Sequence, residues 1–196
     1  MKYNDNRDLD IPIRDLSKKA KRIKSVIKVF RKHFLDKSSV LDVGTRDGYA
    51  VELLNKKGYQ AEGIELLEHY VEHARKMGRP VTFGDMMDQS TLPEKKYDII
   101  YSRHCIEHCR DSLTFMKSCE WLLNPNGNLF MIFPMESDNM LKRHEPYHMV
   151  NFPDKESFKK FLEKTNFKII KLGPTYEFGL QKRKKKELFF IGEKSD

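Results

Sequence analysis

Short apolar runs alternate with segments of helical period along most of this chain. That alternation limits the fold more than any other feature of the sequence. Residues 39–43, 60–64, 80–83, 96–102 and 128–133 read as strands, and 49–57, 66–77 and 112–122 as helices. Gly58 closes the first of these helices, and Asn124-Pro125-Asn126-Gly127 stops the third. A further helix is predicted over 157–164, with strands over 167–172 and 187–191. Strands alternating with helices predict a parallel sheet covered on both faces. Ligands of such sheets sit at the carboxyl ends of the strands, so the residues just after each strand carry the functional argument.

Upstream of this pattern, apolar residues at 16, 20, 23, 27, 30 and 34 form one stripe on a helix. Lys18, Lys21, Arg22, Lys28, Arg31 and Lys32 cover much of the rest. Residues 1–36 carry 11 basic and 5 acidic side chains, whereas 37–170 carry 19 and 20, so the net charge of +8 is concentrated toward the ends. The expected organisation is a basic helical cap over 1–36 on a domain spanning 37–196, together one compact unit. The longest apolar run, Leu129–Phe133, is far short of a membrane span, and the N-terminus shows no secretory pattern. Three cysteines, none at Cys-x-x-Cys spacing, predict a reducing cytoplasm.

The first strand leads into Asp42-Val43-Gly44-Thr45-Arg46-Asp47-Gly48. This loop is neither the dinucleotide fingerprint, because Arg46 stands where a second glycine would be, nor a P-loop. The second strand ends at Glu65, a carboxylate able to accept from a ribose diol. The third is followed by Gly84-Asp85-Met86, where the aspartate can accept from an exocyclic amine. The fourth runs into Ser102-Arg103-His104-Cys105-Ile106-Glu107-His108.

In order and spacing, these segments resemble class I S-adenosylmethionine (SAM)-dependent methyltransferases of the type 11-like subgroup. The resemblance spans about Val40 to Leu172 and includes Tyr97-Asp98-Ile99-Ile100 and Leu123-Asn124-Pro125-Asn126-Gly127. It implies an α/β fold: a Rossmann-like, seven-stranded, mostly parallel sheet with helices on both faces and an antiparallel last strand. It also implies a cofactor site for SAM, with S-adenosylhomocysteine as product. Asp42 and Gly44 would line the pocket for the methionine part with Gly48 at the turn, Glu65 would hold the ribose hydroxyls, and Thr45, Arg46 and Leu66 would also belong to the cofactor site. Asp85 and Met86 would meet the adenine, and Ser102 and Arg103 would lie beside the methyl donor. Arg46 departs from the family pattern, and a positive φ there would strain an arginine.

His104-Cys105-Ile106-Glu107-His108 also matches His-x-x-Glu-His, an inverted zinc-protease pattern. That pattern needs a long helix and a third ligand, and here it follows a strand, so no metal is expected. The segment 143–153 follows the fifth strand on the ligand side and is too long for a simple connection. His148 is the candidate proton acceptor there and His104 a second catalytic candidate, with Arg143 and Tyr147 as candidate substrate contacts. Each histidine has a plainer alternative as a loop anchor.

The expected function is methyl transfer to a hydroxyl, amine or carboxyl of a small or medium-sized acceptor. Two rivals remain open at this point. One is a nucleic-acid-directed methyltransferase or RNA/DNA-binding protein using the basic termini, including Lys182–Lys186. The other is a non-catalytic binding module that keeps the fold. Neither the acceptor nor the oligomeric state is legible in the sequence.

Overall fold

The structure, a computed structural model, describes residues 16–135, 148–150, 152–178 and 187–195. Seven strands form one sheet: β1 (Ser39–Val43), β2 (Gln60–Glu65), β3 (Val81–Phe83), β4 (Tyr97–Arg103), β5 (Leu123–Pro134), β6 (Phe167–Pro174) and β7 (Glu187–Lys194). Their order is β3-β2-β1-β4-β5-β7-β6. The pairs β1–β2, β1–β4, β2–β3 and β4–β5 are parallel. β7 is antiparallel to both β5 and β6. The expected fold is therefore present, with its reversed strand inserted between β5 and β6. The chain leaves β1 toward β2 on one side and reaches β4 on the other, which makes the carboxyl ends of β1 and β4 the switch point of the sheet.

Among the described residues, five α-helices accompany the strands: α1 (Leu16–His33), α2 (Tyr49–Asn55), α3 (Glu68–Lys76), α4 (Ser112–Leu122) and α5 (Lys155–Leu162). Alternate strand residues serve opposite faces. Val40, Ile99, Tyr101, Phe130 and Ile132 pack with α1 and α2, through Ile23, Ile27, Phe30, Val51 and Leu54. Leu41, Val43, Ile100, Leu129 and Met131 pack with α4 and α5, through Phe115, Cys119, Phe158 and Leu162. Burial of both faces explains why these strands read as nearly continuous apolar runs. Phe30, fully buried, meets the rings of Phe34, Tyr59, Tyr101 and Phe130 edge-on. Truncating a core aromatic of this kind costs about 3–5 kcal/mol.

Local chemistry sets the helix starts. The Asp111 side chain accepts from Leu113 N–H and Thr114 N–H to open α4, and Asp154 and Ser157 form a reciprocal capping box on α5. The largest boundary difference from expectation is in β5, which begins at Leu123, directly after α4, instead of at Asn128. Asn126 takes a left-handed φ of 57° and the Asn124 side chain donates to Asp98, so the turn residues stay within an irregular strand start. No helix among the described residues is long and apolar enough to cross a membrane.

Candidate functional site

The site begins where β1 ends. Asp42 is the penultimate residue of β1 and only 4% exposed. Gly44 N–H and Thr45 N–H both donate to the Ile64 carbonyl, at 3.0 and 3.2 Å, which folds the loop back on β2. Gly63 permits that approach: a Cβ there would stand 2.5 Å from Thr45 Cγ2. Gly44, Arg46 and Gly48 all take left-handed φ, at 70°, 56° and 66°. Glycine does so freely, and arginine at some cost. The arginine is held by its surroundings. Its N–H donates to Glu65 Oε2 at 2.8 Å, and its guanidinium lies 5.0 Å above the Tyr70 ring while donating to the Tyr70 hydroxyl.

Three carboxylates lie at the ends of three adjacent strands. Asp42 accepts from the Thr45 hydroxyl at 2.6 Å. Burial, with Glu65 and Asp47 adding repulsion, pushes its carboxyl up to about 7 even though the Thr45 bond acts the other way. Glu65, buried at the end of β2, accepts three backbone N–H groups: Arg46 on Oε2, and Leu66 and Leu67 on Oε1, at 2.9 and 3.1 Å. Asp85, half-buried after β3, accepts from Met87 N–H at 2.8 Å through Oδ1.

The end of β4 holds a different kind of chemistry. Ser102 is buried between Val43 of β1 and Met131 of β5. Arg103 Nη2 reaches Glu187 Oε1 at 3.4 Å. His104 takes a φ of 53°, with Nδ1 3.1 Å from Glu107 Oε1 and Nε2 3.0 Å from Glu187 Oε1. His108 packs edge-on against His148, with ring centroids 4.8 Å apart. A carboxylate oxygen of Glu107 and a ring nitrogen from each of His108 and His148 lie within 4.8 Å of one another. Met149 N–H donates to the Glu107 carbonyl at 2.7 Å, which docks the 148–150 segment on this turn.

A family model described as a methyltransferase domain matches residues 15–172. The chain belongs to this methyltransferase-domain family. Curated relatives include the ubiquinone biosynthesis O-methyltransferase of Histophilus somni, 32% identical over 106 residues, covering 49% of this chain and 44% of that protein. The protein of the same name from Actinobacillus pleuropneumoniae is 33% identical over 101 residues, covering 46% and 43%. The match thus spans less than half the length of these relatives. Among solved structures, a SAM-dependent methyltransferase from Clostridium acetobutylicum superposes with a TM-score of 0.70 at 12% identity, covering 90% of this chain and 92% of that one. The plantazolicin methyltransferase BamL, solved with a substrate analogue and SAH, gives 0.70 at 15% identity, covering 93% and 87%.

Within this methyltransferase domain, the first strand's loop brings Asp42, Gly44, Thr45, Arg46 and Gly48 together with Glu65. The donor set suits SAM. Its ammonium, ribose diol and adenine amine are hydrogen-bond donors, and the three strand ends present carboxylates. Asp42 in particular is a buried carboxyl whose hydrogen-bond partner among the described residues is the Thr45 hydroxyl, a setting that favours a cation. Leu66 is 40% exposed and Met86 is buried in the core, where the Ser118 hydroxyl donates to its carbonyl. Arg143 and Tyr147 lie outside the described residues, as does the 182–186 run. Sequence reasoning missed two participants. Tyr70 gave no signal beyond its place on α3, and Glu187 could be found only by knowing that β7 returns antiparallel beside β5.

Proposed function

We propose that this chain transfers the methyl group of SAM to an oxygen of a small acceptor. The observation that carries the reading is the row of carboxylates on neighbouring strand ends, Asp42, Glu65 and Asp85, beside the switch point. The names of the matched relatives support an oxygen acceptor. When bound, SAM supplies a methyl group on a sulfonium, already activated for displacement. The chain's own residues then have two tasks. Asp42, Glu65 and Asp85 fix the donor, and fixed orientation alone can remove about 7–11 kcal/mol of barrier in favourable cases. His148 receives the hydroxyl proton as the new oxygen–carbon bond forms, with Glu107 and His108 close enough to steady the resulting charge. The three cysteines are free, which fits a reducing compartment such as the cytoplasm.

The deciding experiment is calorimetry with SAM and SAH, with NAD as control. Binding of both adenosyl ligands without NAD, weakened roughly tenfold or more in Asp85→Ala, is the expected result. Failure of both ligands to bind would overturn the reading.

A further inference from the structure

One charged cluster extends beyond the part that this chemistry uses, which is Glu107. It centres on His104, whose backbone N–H donates to the Ile132 carbonyl of β5 at 2.8 Å. Its two ring nitrogens face two carboxylates, Glu107 at 3.1 Å and Glu187 at 3.0 Å, and those residues are 3% and 5% exposed. A neutral imidazole has one N–H and can donate to one carboxylate only. Its other nitrogen would then set a lone pair against oxygen lone pairs. Both contacts are satisfied when both nitrogens carry hydrogen.

The connections on each side give the cluster a purpose. Glu187 opens β7 opposite Pro134 of β5, so the antiparallel pairing fixes where its carboxylate stands. Glu107 accepts Met149 N–H and Val150 N–H on its carbonyl, at 2.7 and 3.4 Å, and so holds the segment that carries His148. We propose that Glu187 is a positioning residue: with Glu107 it holds His104 as an imidazolium, and this clamp sets the turn that places His108 and His148. His104 is then no proton acceptor. Burial and the nearby Arg103 both oppose its charge, yet the two carboxylates outweigh them and raise its pKa above the ordinary imidazole value. Arg103 on β4, Glu107 on the following turn and Glu187 on β7 are the charged groups that act on the ring among the described residues. The positioning of His148 rests on the methyl-transfer reading. The protonation of His104 does not.

The test is a pH titration of the histidine ring nitrogens by long-range nitrogen-15 NMR on the full chain without ligand. His104 is expected to show two protonated nitrogens at a pH where an ordinary imidazole has become neutral. In Glu187→Gln its midpoint should fall by roughly one pH unit, while SAM affinity stays within about twofold because no cofactor carboxylate is touched. A neutral His104 at pH 7 in the unsubstituted protein would overturn the proposal, and that measurement needs no variant to fold. So would a Glu187→Gln protein whose His104 midpoint does not move, since a merely structural glutamate would leave the titration in place. If SAM does not bind, the function proposed above fails while this titration still gives its own answer.

Discussion

The two edges of the sheet treat a buried or half-buried carboxylate in opposite ways. At the amino edge, Asp98 of β4 accepts from Ser38 N–H, Ser39 N–H, the Ser39 hydroxyl and the Asn124 amide, at 3.3, 3.1, 2.7 and 2.9 Å. Desolvation works against the ion, but these bonds prevail and hold its pKa below the usual carboxylate range. At the carboxyl edge, Asp42 of β1 accepts from one hydroxyl and is pushed up to about 7. The same sheet therefore satisfies the charge of Asp98 and leaves that of Asp42 wanting a partner, while Glu65, beside Asp42, is met by three N–H groups. The setting of Asp98 is built for stability, and that of Asp42 has the character of a binding site.

The largest way to sharpen this contrast is Asp42→Asn. Asp42 titrates higher in the folded chain than in the unfolded one, so between about pH 4 and pH 7 the folded state binds the extra proton. Stability of the unsubstituted protein should fall as pH rises through that window and level off above it. The asparagine variant lacks this penalty and should be more stable at pH 8 by up to about 4 kcal/mol, with little difference at pH 4. It should also bind SAM more weakly. Thermal melts across pH, paired with calorimetry, check both. A pH-independent difference would break the comparison at its carboxyl edge.

Asp98→Ala tests the other edge, and its sign is reversed. Asp98 titrates lower when folded, so its contribution is present above the ordinary carboxylate pKa and is lost as pH falls through the folded value. The variant should lose about 2–3 kcal/mol at neutral pH through its unpaired donors, and the loss should shrink in acid. SAM affinity should not change, because Asp98 stands at the far end of β4 from His104. Chemical denaturation at two pH values measures the first claim, and calorimetry the second.

The same contrast explains how much could be read from the sequence. The strands, the glycines at 44 and 48 and the helix stripe at 23, 27, 30 and 34 are local patterns, and the structure places them as expected. Val26 and Val29 are buried as well, and α1 touches α2 besides packing on the sheet. A period drawn for one contact face cannot show a second one. Asp42, Glu65 and Asp85 were legible because each lies within two residues of the carboxyl end of its own strand. The saturation of Glu65 by three N–H groups was not, since it depends on how the β1 loop folds back on β2. Glu187 lies 83 positions from His104 and meets it only through the β5–β7 pairing. Its burial reads in sequence as an ordinary strand start after a basic run.

Arg46 carries the smallest and most discriminating effect, because it mixes the two behaviours in one residue. Its backbone is in the left-handed region, which costs an arginine about 1–2 kcal/mol relative to glycine. Its side chain recovers part of this by stacking on Tyr70, worth about 0.5–1 kcal/mol at a half-exposed site. Glycine would remove the strain, lose the stack and add roughly 0.5–1 kcal/mol of unfolded-state entropy. Arg46→Gly should therefore shift stability by less than about 1 kcal/mol in either direction. Alanine keeps the strain and loses the stack, so Arg46→Ala should fall below Arg46→Gly by about 1 kcal/mol. Both variants retain the N–H that donates to Glu65, so both should bind SAM within about threefold of the unsubstituted chain. If the alanine variant proves as stable as the glycine one, the left-handed turn is not what Arg46 strains against. If both lose SAM binding, the guanidinium is part of the cofactor site, and the Tyr70 stack holds it there in readiness.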